Sequence, residues 1–156
     1  MPHLKLSPRL HILDTALTVY ALKMQKELFL TDDMNKLFSG RVIEHLIGQE
    51  IFSLGFSPNS KLNFWVREKT QSNAEVDYVI QHSGKLFPVE VKSGSAGRLR
   101  SLHQFIDNAP HNIAVRFGKC NYSVEEVRTI SGKPYTLINA PYFAASQIYR
   151  IQEMYA

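Results

Sequence analysis

Cysteine is nearly absent from this chain. Cys120 is the only one in 156 residues, so no internal disulfide can form and a reducing compartment fits. Cys120 itself reads as an ordinary small residue rather than a nucleophile. The six histidines show no metal-ligand spacing with cysteine, which excludes a zinc site of the finger type. Long hydrophobic runs are missing too. None approaches the ~20 residues that span a bilayer, and Met1-Pro2-His3-Leu4-Lys5 does not open a secretory signal. The expectation is a soluble, cytoplasmic protein with no membrane partner. Ser93-Gly94-Ser95-Ala96-Gly97 is rich in glycine, but no Gly-Lys-Ser/Thr closes it, so ATP hydrolysis by a Walker A loop is excluded. Internal repeats and low-complexity segments are absent as well.

What is present is a chain of one-domain size, 44% hydrophobic, with a net charge of +4 that permits a polyanionic partner without demanding one. Its most informative segment is a hairpin. Ala74-Glu75-Val76-Asp77-Tyr78-Val79-Ile80-Gln81 and Leu86-Phe87-Pro88-Val89-Glu90-Val91-Lys92 are two strand-like runs joined by His82-Ser83-Gly84-Lys85. A turn centred on Ser83-Gly84 pairs Gln81 with Leu86, Val79 with Pro88, Asp77 with Glu90 and Glu75 with Lys92. The two-residue period then puts Val76, Tyr78, Ile80, Phe87, Val89 and Val91 on one apolar face, and Glu75, Asp77, Glu90 and Lys92 on the other.

Opposed carboxylates on neighbouring strands are destabilising unless something neutralises them. A hard divalent cation would do so, because it prefers carboxylate oxygens and leaves positions for water and phosphate. Lys92 would stand beside it. The plainer alternative is a Glu75–Lys92 ion pair on a wet sheet face, with Asp77 and Glu90 in solvent.

Upstream, Asp33 to Leu54 reads as an amphipathic helix capped by Asp32 or Asp33 and ended by Gly55. Leu37, Gly40, Glu44, Ile47, Ile51 and Leu54 fall on one stripe, so Glu44 interrupts an apolar face. Either it joins Asp77 and Glu90, or the helix is turned slightly and Glu44 lies on a polar edge beside Arg41 or His45. Downstream, Arg98 and Arg100 open a short helix, where they oppose the helix dipole and make sense if a phosphate lies nearby. The equal alternative is that they are solvated or pair with Asp107 or Glu68. Trp65, Tyr78, Tyr122 and Phe143 read as packing residues rather than a base-stacking platform.

The remaining periodicity predicts a helix from Asp14-Thr15 to about Lys23 and a strand over Lys61 to Arg67, with Leu62, Phe64 and Val66 opposite Asn63, Trp65 and Arg67. It also predicts a buried strand over Asn112 to Phe117, strands over Glu125 to Arg128 and Tyr135 to Ile138, and a C-terminal helix from about Pro141 to Tyr155.

Glu44 in a helix, then Asp77, then Glu90-Val91-Lys92 resembles the PD-(D/E)xK nuclease superfamily. Read over the whole chain, the likeness widens to Ser7-Pro8-Arg9 through Leu17, Gly40 to Glu44, Asn63-Phe64-Trp65-Val66-Arg67, Glu75 to Val79, Pro88 to Gly94 and Ala140-Pro141-Tyr142-Phe143-Ala144. Their order is similar to that of the nuclease-like domain of unknown function at the C-terminus of many prokaryotic AAA-type ATPases. The resemblance implies an α/β fold with a restriction-endonuclease-like α-β-β-β-α-β core, a mixed sheet flanked by helices. It implies one domain over residues 1–156, a fragment or stand-alone remnant of a longer ATPase-linked protein.

Carried over position by position, it makes Asp77, Glu90 and Glu44 ligands of Mg²⁺ or Mn²⁺ and Lys92 the catalytic cation, in phosphodiester hydrolysis on DNA. Arg98, Arg100 and Arg67 are the candidate nucleic-acid contacts. Val76 stands where many nucleases have proline, and Ala16 where the ATPase-associated family more often has glycine. Two alternatives stay open: a catalytically silent module that binds DNA or docks an AAA-type ATPase, and an oligomerisation domain.

Overall fold

The computed structural model describes residues 11–12, 14–23, 25–26, 40–55, 61–67, 74–93 and 99–155. Arg98, and the start of the helix expected from Asp33, lie outside the described residues.

Helix α1 spans Thr15–Ala21 and begins where the sequence predicts, because the Asp14 carboxylate accepts the Ala16 N–H at 2.7 Å and the Leu17 N–H at 3.4 Å. Helix α2 is Gly40–Ser53, followed by strands β1 (Asn63–Arg67), β2 (Ala74–His82) and β3 (Lys85–Val91). Next come helix α3 (Arg100–Asn108) and strands β4 (Ile113–Gly118), β5 (Ser123–Arg128) and β6 (Pro134–Pro141). The expected C-terminal helix arrives in two pieces, a 3₁₀ helix over Tyr142–Gln147 and helix α4 over Ile148–Tyr155.

The six strands form one mixed sheet in the order β1-β2-β3-β4-β6-β5, flanked by helices. β1, β2 and β3 are an antiparallel meander; β3 and β4 are parallel, as are β4 and β6, and β5 closes the edge antiparallel to β6. The β2–β3 turn follows from its residues. Ser83 and Gly84 both have positive φ, 49° and 75°, as the tight two-residue turn matched to strand twist requires. That turn fixes Gln81 opposite Leu86 and Val79 opposite Pro88, as expected.

Apolar layers lie on both sides of the sheet. Ile43, Ile47 and Ile51 of α2, with Ile148 and Ile151 of α4, pack on Phe87, Val89, Val115, Phe117 and Ile138. On the other side Leu102, Phe105 and Ile106 of α3 cover Val76, Ala114, Tyr135 and Leu137, and Trp65 meets Phe105 edge-on. β4 is buried on both faces except at Arg116, which is why it reads as a near-continuous apolar run.

The alternation expected for β2 is corrected at one place. Asn63 of β1 pairs with Val79, yet two residues later Trp65 pairs with Val76, three residues back. One extra residue is thus inserted into β2 between Val76 and Val79. This β-bulge reverses the alternation, so Val76 packs under α3 while Tyr78 and Ile80 face α2.

Candidate functional site

Asp77 lies in the bulge. The β2–β3 ladder runs from His82–Lys85 to Tyr78–Val89 and ends there; beyond it the Val91 N–H donates to Asp77 Oδ2 at 2.8 Å. The pairs expected further along, Asp77 with Glu90 and Glu75 with Lys92, are therefore not part of the ladder. The bulge re-aims a side chain and frees the strands to part, which is what bulges beside binding sites commonly do.

Glu90 is 4% exposed. Its Oε1 accepts from Lys92 Nζ, and its Oε2 is buried without a hydrogen-bond partner among the described residues. Lys92 is thus paired with Glu90, and Glu90 does not splay into solvent. Burial first, then the Asp77 charge, push the Glu90 carboxyl up to about 7, against the hydrogen bond and charge of Lys92; Glu44 adds a smaller upward push. The other two predicted carboxylates, Asp77 and Glu44, thus act on this one buried group.

Lys92 is held by its backbone at both ends. Its N–H donates to Phe117 O of β4 at 2.9 Å, and its carbonyl accepts the Tyr142 hydroxyl. The Pro141-Tyr142 segment, singled out in the sequence, turns the chain back onto the residue that follows β3. Periodicity gave no sign of that contact, since the two residues are fifty positions apart.

Glu44 sits at the margin of the α2 stripe rather than at its centre. The buried row is Ile43, Ile47 and Ile51, and Gly48 marks the closest approach to β2. A β-carbon at Gly48 would overlap the Tyr78 hydroxyl and the His11 ring. Tyr78 Oη donates to the Glu44 backbone carbonyl at 2.9 Å, which ties the helix to the strand just after the bulge. The Glu44 side chain lines a cleft of about 650 Å³ together with Arg41, His45, Glu75 and Asp77. His11 stacks on His45 in the same wall, with ring centres 4.3 Å apart, and burial first, then His45, lower the His11 pKa. The stacked pair was not foreseen, because nothing in the local pattern joins residues so far apart in sequence.

Among the described residues no three His, Cys, Asp or Glu side chains form a group arranged to hold a metal. Of the basic residues, Arg67 donates to Gln104 Oε1 at 2.8 Å and so links β1 to α3. Arg100 is exposed at the start of α3, whose first turn has no side-chain cap.

Residues 39–135, more than half of the chain, match the family described as Domain of unknown function (DUF4143). The chain belongs to that family. The DUF4143 span contains Glu44, Asp77, Glu90 and Lys92, so the whole candidate site lies within it. No curated protein and no solved structure matches the chain. Among the described residues of this DUF4143 protein, no helix is long and apolar enough to cross a membrane.

Proposed function

We propose that this DUF4143 domain is a divalent-metal-dependent, nuclease-like domain that acts on DNA phosphodiesters. The observation that carries the reading is the buried Glu90 carboxylate, pressed by the Asp77 and Glu44 charges and paired to Lys92, with Oε2 left without a partner. The order α2-β1-β2-β3-α3-β4, with β1 to β3 antiparallel and β4 parallel to β3, favours a restriction-endonuclease-like core.

The donor chemistry fits Mg²⁺ or Mn²⁺. Mg²⁺ is commonly held by one or two carboxylates, with water and substrate phosphate completing its shell, so Asp77 and Glu90 suffice and Glu44 is auxiliary. When bound, the metal would supply Lewis-acid stabilisation of the phosphoryl oxygens and lower the pKa of a bound water. Asp77 is oriented by the Val91 N–H, which fixes one of its carboxylate oxygens. Lys92, held through its backbone, would move from Glu90 to the phosphate and offset charge as it develops. Glu44 and Asp77 line the cleft on the α2 side, where substrate would approach them. The AAA-type ATPase partner belongs to the same proposal.

The Lys92–Glu90 pair also favours a second reading, a catalytically silent DNA-binding or interaction module, because a lysine can replace the metal as the permanent neutraliser of Glu90. Cleavage of single-stranded, duplex and branched DNA with Mg²⁺ or Mn²⁺ separates the two. The expected outcome is cleavage by the parent protein and a loss of at least ~100-fold in Lys92→Ala, the scale of removing a charge-stabilising group. Equal activity in both would mean a contaminant, and binding without cleavage would favour the silent module.

A further inference from the structure

The cleft beside Asp77 has walls of two kinds. Glu44 of α2 and Glu75 and Asp77 of β2 supply three carboxyl groups, against Arg41 as the one arginine or lysine among the described residues that line it. Leu62 and Phe64 of β1 and Leu22, just past α1, supply apolar surface, and Leu22 is 45% exposed there.

The register of β1 fixes where Phe64 stands. Asn63 is level with Val79 and Trp65 with Val76, so the bulge in β2 sets Phe64 across from the pair Asp77-Tyr78. The backbones of Phe64 and Asp77 are thus one strand spacing apart, roughly 4.8 Å. Trp65 packs under α3 against Phe105, and alternation along β1 therefore turns the half-buried Phe64 ring to the α2 side, where the cleft is. The opposite wall is held in shape. His45 Nε2 accepts the Ile12 N–H at 3.1 Å, its ring stacks on His11, and Thr15 Oγ1 donates to Gln49 Oε1, which together tie α1 and the segment before it to α2.

A nucleotide has the same two parts, a phosphate that needs a cation and a neutral ring that needs an aromatic or apolar face. Three carboxyl groups repel a phosphate unless a metal stands between them, so the apolar walls are left for the ring. The volume, about 650 Å³, lies within the range of roughly 300–1,000 Å³ of pockets that enclose small organic groups. Duplex DNA is read by a convex element that enters a groove, whereas a receding pocket receives a base only after that base has left the stack.

We propose that the cleft takes one unpaired nucleotide, its base stacked on Phe64 and its phosphate beside Asp77, so that the substrate class of the site is a single strand or an unpaired segment of DNA. This rests on the nucleic-acid reading of the site and does not depend on cleavage.

Anisotropy of a short labelled single strand in Ca²⁺, with strand integrity checked on a denaturing gel, tests it when the base is removed from one nucleotide at a time. At the position held in the cleft, the missing base should weaken binding to the parent protein by about 5- to 100-fold, the scale of one base–aromatic stack. Phe64→Tyr should keep that penalty and Phe64→Leu should abolish it, with the salt dependence of affinity the same in both because no phosphate contact is lost. A blunt duplex of the same strand should bind more weakly than the strand alone, since a base must first be unpaired. Affinity indifferent to the missing base at every position, or a penalty that survives in a folded Phe64→Leu protein, overturns the inference even where the protein cuts DNA. The expected pattern without any cleavage keeps the inference and removes the catalytic reading. A parent protein that binds no strand overturns both.

Discussion

A carboxyl group raised to about 7 is a stability statement as well as a chemical one. Glu90 binds its proton more tightly in the folded chain than at its ordinary value of 4.5, so its favourable share is full below pH 4.5 and is lost as pH rises through about 7. The cause is burial next to Asp77, which Lys92 offsets only in part. In EDTA the parent protein should therefore lose stability between those two pH values. Glu90→Gln, which keeps the shape and an acceptor for Lys92, should flatten the loss and be the more stable protein at pH 8, by at most ~3 kcal/mol at ~1.4 kcal/mol per pH unit. At pH 4.5 the two should melt alike. Urea titrations at both pH values measure this, and an equal pH dependence in parent and variant would show that Glu90 is not the group responsible. At this scale spacing and the family resemblance together named Glu44, Asp77, Glu90 and Lys92, and the structure brings the charges of the other three to bear on Glu90. The sequence was silent about the Tyr142–Lys92 and His11–His45 contacts, because their partners come from distant parts of the chain.

The elements were legible where a local rule decides them. Ser83-Gly84 specified the hairpin turn, and Asp14 specified the start of α1. The bulge was not legible, because it inserts one residue without glycine or proline to mark it, and it moved Val76 to the opposite side of the sheet from Tyr78. The phase of α2 slipped for a related reason. Counting from Gly40 through Glu44 gave a plausible stripe, yet the buried row is Ile43-Ile47-Ile51, set by where Gly48 lets the helix approach Tyr78. That approach is testable. Gly48→Ala gains helix propensity of roughly 1 kcal/mol, but its methyl meets the Tyr78 hydroxyl and the His11 ring, and overpacking of this kind costs typically 1–3 kcal/mol. The expected net outcome is a less stable protein in which α2, and Glu44 with it, has shifted from β2. Combining the change with Tyr78→Phe, which removes the clashing oxygen, should recover part of the loss in thermal melts. Full additivity of the two substitutions would argue against the contact.

Across the whole molecule, the candidate site sits where three elements meet: the bulged end of β2, the end of β3 and the flank of α2, each anchored to a buried layer. An arrangement of this kind holds like charges together by means of the fold, and whatever neutralises those charges stabilises the fold in return. A ligand that binds only the native state adds RT ln(1 + [L]/Kd), about 2.7 kcal/mol at a hundredfold excess over Kd. For a chain of this size that is roughly 5–10 °C in melting temperature. Mg²⁺ or Mn²⁺ should therefore raise the melting temperature of the parent protein. Asp77→Asn and Glu90→Gln should lose most of the shift, since each removes a carboxylate assigned to the metal. Lys92→Ala should keep it or enlarge it, because removing the lysine takes away the competing cation on Glu90. This pattern divides metal binding from catalysis: a lysine variant that still binds metal but no longer cuts DNA assigns Lys92 to the phosphate. A melting temperature unmoved by either ion in the parent protein, with Lys92→Ala destabilised under all conditions, would instead make Lys92 the permanent partner of Glu90 and the site a charge-compensated relic.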